Sequence, residues 1–247
     1  MKIVKGIEIM DLGLYLKDFD TLVFADFHVG YEEMLNKKGV LVPRFQFKDI
    51  IDRLGRILKK KYKKIIVNGD LKHEFGHISE QEWRDSLKLL DYLGKYCEEL
   101  ILVKGNHDTI LGPIAKKRNL KIVEHLKLGD VLICHGNKIV KEKAKIIIIG
   151  HEHPAVSLQE GARVERFKCF LRGSFERKKL IVMPSFNLLS EGSDVIREKK
   201  LSPYLKKYLG NFEVFVVSAE KSEISGTTSG GDKVYDFGKL KGLRKSI

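Results

Sequence analysis

The feature that most constrains this chain is an alternation in its first half. Short apolar runs, each reaching a carboxylate, are separated by segments of helical periodicity. "TLVFAD" (21–26), "KIIVNGD" (64–70) and "LILVKGNHD" (100–108) read as strands followed by turns. Between the first two, "FQFKDIIDRLGRILKK" (45–60) sets Phe47, Ile50, Ile51, Leu54, Ile57 and Leu58 at helical spacing, with Pro43 just upstream. Between the second and third, "SEQEWRDSLKLLDYLGKY" (79–96) opens with Ser79 and Glu82 at capping-box spacing. Its stripe of Trp83, Leu87, Leu90 and Leu93 is expected to face a core. The order βαβαβ predicts a mostly parallel sheet covered by helices.

From about residue 120 the pattern changes. "KIVEHLKL", "DVLICHG", "AKIIIIGHEH", "ERFKCFLRG", "KKLIVMPSF" and "FEVFVVS" follow closely, each read as one strand. A β-rich layer packed on the first is expected. The chain is divided into a domain over 1–220 and a Gly/Ser/Lys-rich segment over 221–247. That segment is expected to be partly flexible, with "KVYDF" able to add a final strand.

Composition excludes several classes. With 43% hydrophobic residues in 247, a sizeable core can be buried and disorder is disfavoured. No run approaches the ~18 apolar residues of a membrane span, and "MKIVKGIEIMDLG" lacks the apolar stretch of a signal peptide. A soluble, cytoplasmic protein without a membrane partner is expected. Cys97, Cys134 and Cys169 form no C-x-x-C pair and read as small core residues. The net charge of +13 favours a polyanionic partner. Scarce glutamine with abundant lysine and glutamate is, however, also a hyperthermophile composition.

The strand ends carry the chemistry. They hold Asp26 and His28, then Asp70 and His73, then Asn106, His107 and Asp108, then His135, then His151 and His153. Six of the eight histidines lie there. Sites in parallel α/β sheets form outside the carboxyl ends of strands, so these side chains can converge. Carboxylate, imidazole and amide donors without thiolate suit Mn, Fe, Zn or Ni. Seven such groups exceed one tetrahedral site, and a bridging carboxylate gives two metals ~4 Å apart, an arrangement that displaces phosphate esters. If their segments stay extended, Asp26 with His28, and His151 with His153, point to one side.

D-x-H at Asp26 and His28, G-D at Asp70, G-N-H-D over 105–108, the lone His135 and G-H-x-H over 150–153 occur in that order. Together they resemble the calcineurin-like metallophosphoesterases. "GDLKH" also resembles the G-D-x-x-H of the SbcD-type DNA-repair nucleases. "GVLVPR" (39–44) and "MPSFNLLSEGSDV" (183–195) resemble a compact branch holding archaeal SbcD-related phosphoesterases and a bacterial ligase-associated phosphoesterase. The resemblance implies a four-layer α/β/β/α sandwich of two mixed sheets flanked by helices. It implies two divalent metals, Mn foremost. Asp26, His28, Asp70 and His153 would hold one; Asp70, Asn106, His135 and His151 would hold the other, with Asp70 bridging. It further implies hydrolysis by a metal-bridging hydroxide, with His107 facing the phosphate as proton donor and His73 touching substrate rather than metal. Gly105 is read as the bend aiming Asn106 and His107, and Asp108 as orienting that turn or His107.

Blander readings stand for the rest. His77 and His125 belong to no motif. "KKKYKK" (59–64) precedes a strand, so it lies away from the site as a solvated helix end. Arg44, Lys72, Lys104 and Lys138 flank motifs as possible phosphate contacts, and Asn187 either approaches the site or makes a turn; none of these five joins the site set.

The expected function is a metal-dependent phosphodiesterase, with a nuclease as one form, acting on nucleic acid or nucleotides. SbcD-type enzymes carry extra domains, and the residues after 195 leave little room for them, so a small phosphodiester stays open. The alternatives are a phosphomonoesterase and a non-catalytic scaffold on the same fold. The scaffold reading predicts missing ligands, whereas all seven positions and His107 carry suitable residues.

Overall fold

A computed structural model describes residues 1–43, 45–74, 79–108, 111–118, 120–218 and 233–243. Four N-terminal strands open the chain: β1 (Lys2–Val4), β2 (Ile7–Met10), β3 (Gly13–Leu16) and β4 (Thr21–Phe24). They are followed by α1 (Tyr31–Lys37), α2 (Gln46–Ile57), β5 (Tyr62–Asn68), α3 (Glu80–Gly94), β6 (Cys97–Val103), α4 (Gly112–Arg118) and β7 (Lys121–Val123). These seven strands form one sheet in sequence order, antiparallel up to β4 and parallel from β4 to β7. The parallel part is the βαβαβ unit that the alternation predicts. Its strands read as continuous apolar runs because both faces are covered: Leu22, Val23 and Phe24, and Ile65, Ile66 and Val67, are all buried. The first three strands, of three or four residues each, were not anticipated; runs so short carry little periodicity.

The second sheet takes β8 (His125–Leu128), β9 (Val131–Cys134), β10 (Ile146–Ile149), β11 (Pro154–Glu160), β12 (Arg163–Phe175), β13 (Lys178–Val182), β14 (Ser193–Asp194), β15 (Glu213–Ser218) and β16 (Lys233–Lys239). β9, β10 and β13 run parallel, and the other pairings except β11 with β14 are antiparallel. "KIVEHLKL" is not one strand. It breaks at Glu124, with β7 completing the first sheet and β8 opening the second. Residues on either side of Glu124 thus satisfy different ladders.

The two sheets pack face to face, and period-two alternation sorts the second sheet's side chains. Ile133, Ile148, Phe170, Ile181 and Phe215 join the core shared with the first sheet and its helices. Cys134, Ile147, Cys169, Leu180 and Val214, one residue away on each strand, join a second core on the outer face. The outer helical layer there is slight among the described residues: a 3₁₀ turn at Pro203–Leu205 and α5 (Leu240–Leu243). The architecture is an α/β sandwich of two mixed sheets. All three cysteines are buried and unpaired.

α3 begins with the capping box expected from Ser79 and Glu82, worth about 1 kcal/mol. Lys59–Lys61 are exposed and precede β5, at the amino end of the parallel strands. No described helix is long and apolar enough to cross a membrane.

Candidate metal centre

β4, β5, β6, β9 and β10 all end at one edge of the two-sheet core, and the polar strand-end residues follow within a few positions. Backbone bonds carry the ladder past the strands: Asp26 N–H donates to Gly69 O at 3.2 Å, His28 N–H to Asp70 O at 3.0 Å, and Gly150 N–H to His135 O at 2.8 Å. The segments do not remain extended, however. Asp26, His28, Asp70, His151 and His153 all adopt left-handed backbone angles, with φ of 56°, 45°, 44°, 65° and 50°. Convergence therefore comes from tight left-handed kinks rather than from strand alternation. Each kink costs about 1–2 kcal/mol. Such strain persists where surrounding bonds over-determine the backbone.

The kinks bring ligand-type atoms together. Asp26, His28, Asp70 and His153 offer atoms within 4.8 Å of one another, as do Asp70, His135 and His151. Asp70 belongs to both groups. Its Oδ2 lies 3.7 Å from His28 Nε2, 3.3 Å from His135 Nε2 and 4.0 Å from His107 Nε2. Asn106 Oδ1 lies 2.9 Å from His135 Nε2. All seven residues expected to bind metal thus gather in one cluster, with His73 and His107 beside it. A further group is formed by His28, His73 and His107, which the separation of metal ligands from substrate contacts did not foresee. His73 Nδ1 is 3.4 Å from His28 Nδ1, and its ring stacks on His107 at 5.3 Å. His107 Nδ1 bonds to the His73 carbonyl, so it must donate. Its Nε2 is the nitrogen that points toward Asp70.

The donor set fits divalent metal. It is nitrogen and oxygen without thiolate, the preference of borderline and hard cations. Asp26 and Asp70 are buried carboxylates, and Asp26 Oδ1 accepts no hydrogen bond. A buried carboxylate oxygen without a hydrogen bond is costly unless a cation faces it, and here His135 Nδ1 lies 3.4 Å away. His135 carries the compensating charge: burial lowers its pKa, but the bond to Asp70 and the charge of Asp26 win and push it up to about 9. Asp70 answers in kind; burial opposes ionisation, yet His135 and the other imidazoles hold it well below the usual carboxylate range. Burial and neighbouring imidazoles lower His73 and His151 to about 4 and keep His28 neutral. Neutral imidazoles are the form that binds metal, and a metal would release the His135 proton.

Glycines make room for this packing. A Cβ on Gly105 would stand 2.1 Å from Asp70 Oδ1 and 2.3 Å from Asp70 N. Gly105 has no left-handed φ, so it serves close approach rather than a bend. Gly69, at φ 84°, would collide with the His135 ring at 2.1 Å. Replacing Gly105 with Ala is expected to lower metal affinity by about 10- to 100-fold by displacing Asp70. Isothermal titration with Mn would measure it. Gly94→Ala, where a Cβ meets nothing within 4 Å, is the control.

Supporting residues are partly those foreseen. Asp108 holds the turn: its carboxylate accepts Leu71 N–H at 3.1 Å and Gly105 N–H at 3.0 Å. Asn187 is a turn residue, its Oδ1 accepting Leu189 N–H at 2.9 Å while its own N–H reaches Asp26 O at 3.2 Å. Lys72 is fully buried, its Nζ donating to the Glu74 carbonyl. Lys104 and Lys138 pair with Glu124 at 3.8 Å and 2.7 Å. His125 pairs with Glu142 at 3.6 Å. Arg44 and His77 lie outside the described residues.

Two glutamates were missed. Glu152, between His151 and His153, turns inward and accepts the N–H groups of Leu201 at 2.9 Å and Ser202 at 2.8 Å. Glu82, the capping residue, also accepts His73 N–H at 3.1 Å and Glu74 N–H at 2.8 Å, tying α3 to the site. Sequence spacing exposes the cap but not this second use.

A two-sheet α/β sandwich with a shared carboxylate among histidines at the strand ends is the architecture of a metallophosphoesterase. The chain belongs to the calcineurin-like phosphoesterase family, whose model matches residues 19–208. No curated protein matches the sequence. Among solved structures it is similar to a Pseudomonas putida nuclease MPE, at 18% identity, covering 85% of this chain and 91% of that one with a TM-score of 0.61. A zinc-complexed Entamoeba histolytica Vps29 is 16% identical over 88% of this chain and 98% of its own, with a TM-score of 0.37. A predicted phosphoesterase from Streptococcus pneumoniae is 17% identical over 87% and 96%, with a TM-score of 0.34.

Proposed function

We propose that this chain is a metal-dependent phosphodiesterase acting on nucleic-acid or nucleotide diesters. The observation that carries the proposal is the gathering of all seven candidate N/O ligands and His107 in one cluster, with Asp70 common to two groups. A scaffold that had lost catalysis has no use for so complete a set. The description of the structurally similar Pseudomonas putida protein as a nuclease agrees with this reading, as does the net charge of +13.

Asp26, His28, Asp70 and His153 would hold one cation, and Asp70, Asn106, His135 and His151 the other. Such cations supply Lewis acidity toward a phosphoryl oxygen and lower the pKa of water. Mn suits the donors; Fe, Zn and Ni suit them too. The chain's own part is positioning. Asp70 Oδ1 accepts the His107 N–H at 2.9 Å, fixing that residue against the shared carboxylate. With Nδ1 committed to the His73 carbonyl, His107 Nε2 is the atom to hold a proton for a departing oxygen. His73 has Nδ1 engaged with His28, leaving Nε2 to meet a phosphate.

The test is a chelator-treated protein titrated with Mn against bis(p-nitrophenyl) phosphate and p-nitrophenyl phosphate. Mn-dependent turnover with preference for the diester is expected. No metal-stimulated turnover of either ester would refute the enzyme, and preference for the monoester would refute the diesterase.

A further inference from the structure

Beside the metal centre lies a second feature that the site does not use. A cleft of about 810 Å³ is walled by the β11–β12 hairpin, the 188–197 segment, Arg53 of α2 and the end of β15. Its basic side chains are Arg53, Arg163, Arg166, Lys168 and Arg197, against the acidic Glu165 and Glu191. The hairpin begins at Pro154, directly after His153, so it extends from the metal-centre edge of the sheet. The inner wall is tied to candidate ligands themselves. Lys168 Nζ donates to Ser185 O at 3.0 Å, and Ser185 Oγ donates to Asp26 O at 2.8 Å. Ser193 N–H donates to His153 O at 2.8 Å.

Three of the five cations meet carboxylates, but only the Arg53 pair is largely buried. Arg53 is spent on Asp11, its Nε 2.9 Å from both carboxylate oxygens. Arg166 meets Glu198 at 3.0 Å and Glu191 at 3.9 Å and donates to Gly192 O at 2.9 Å, and Arg163 meets Glu165, but these pairs are at the surface, where such pairs are worth ~0–1 kcal/mol. Lys168 meets a neutral carbonyl, and burial together with the nearby Arg53 lowers it to about 7. Arg197 is exposed and makes no side-chain ion pair with a described residue. Val164 and Leu188 also line the cleft, whereas the Phe167 side chain packs against the outer core. A basic groove that also offers apolar side chains suits a single nucleic-acid strand, whose phosphates meet cations while its bases meet apolar surface.

We infer that this cleft binds a single-stranded polynucleotide flanking the phosphodiester at the metal centre. The inference rests on the nucleic-acid reading above. It separates this substrate from small diesters, which need only the metal pocket.

The test compares wild-type protein with Arg163→Glu/Arg197→Glu, both exposed positions, and with Lys168→Met. Binding to a fluorescein-labelled 20-mer phosphorothioate oligodeoxythymidine, which resists hydrolysis, is followed by anisotropy in Mn across a salt series. The double variant is expected to bind at least about tenfold more weakly at low salt. Its log–log salt slope should fall by about 1.4, because each single-strand phosphate contact contributes about 0.7. Lys168→Met should weaken binding in the same direction. Turnover of bis(p-nitrophenyl) phosphate and the bound Mn serve as controls for the metal pocket. Unchanged affinity and slope in a wild type that binds the strand would overturn the cleft alone. A parallel loss of small-diester turnover would also overturn it, since the residues would then act on the metal pocket. A wild type that hydrolyses the small diester but shows no salt-sensitive strand binding removes the nucleic-acid reading, and the cleft with it.

Discussion

Replacing Asp70 with Asn is expected to cut Mn-dependent diester hydrolysis by at least about 1000-fold, or roughly 4 kcal/mol of transition-state stabilisation. Asp70 is the one carboxylate shared by both ligand groups. Asparagine preserves its shape and can still accept the His107 N–H through its amide oxygen. What it removes is the charge that two cations would share. Metal content should therefore fall together with turnover, which plasma emission analysis of the dialysed protein measures. Because Asp70 is paired with His135 in the metal-free chain, the variant should also lower stability and the His135 pKa, and circular dichroism is the check that the fold survives. Full metal content with wild-type turnover in Asp70→Asn would remove Asp70 from its proposed place.

The second large effect is expected at His107, and it should look different. His107→Ala should lower turnover by roughly 100- to 10,000-fold, the range for losing a positioned proton donor, while bound metal stays near the wild-type amount. The loss should depend on the leaving group. An alkoxide leaving from a nucleic-acid strand needs a proton, whereas p-nitrophenolate departs readily without one. Turnover of an oligonucleotide should thus fall much further than turnover of bis(p-nitrophenyl) phosphate. Equal losses on both, or loss of metal, would move His107 from proton donor to ligand. That alternative has a structural basis, since His28, His73 and His107 bring ring nitrogens within 4.8 Å of one another.

The contrast between the two variants reflects how the pocket is assembled. Asp70 lies between strand ends of both sheets, touching His28, His135 and His107 at once. His107 hangs from a single loop, held by its N–H on Asp70 and its Nδ1 on the His73 carbonyl. A change at the first disturbs charge shared by many groups; a change at the second removes one proton site.

The linear order of residues determined the parallel β4–β5–β6 unit, because strands buried on both faces must be continuously apolar and so stand out against helical spacing. It determined the capping box of α3 for the same kind of reason: the partners sit three residues apart. It also determined which side chains stand at the strand ends, since a strand's end and the residues just after it are local properties. Only the tertiary structure decided how those side chains meet. The left-handed kinks at Asp26, His28, Asp70, His151 and His153 replace the expected extended segments. Gly105 proved to be space for Asp70 rather than a bend. The break of "KIVEHLKL" at Glu124 depends on two ladders formed by strands elsewhere in the chain. The basic cleft unites Arg53, the 163–168 stretch and Arg197, which no local pattern connects. Periodicity reports what a residue's near neighbours require, whereas steric fit, charge balance and convergence are set by residues brought together through long-range pairing.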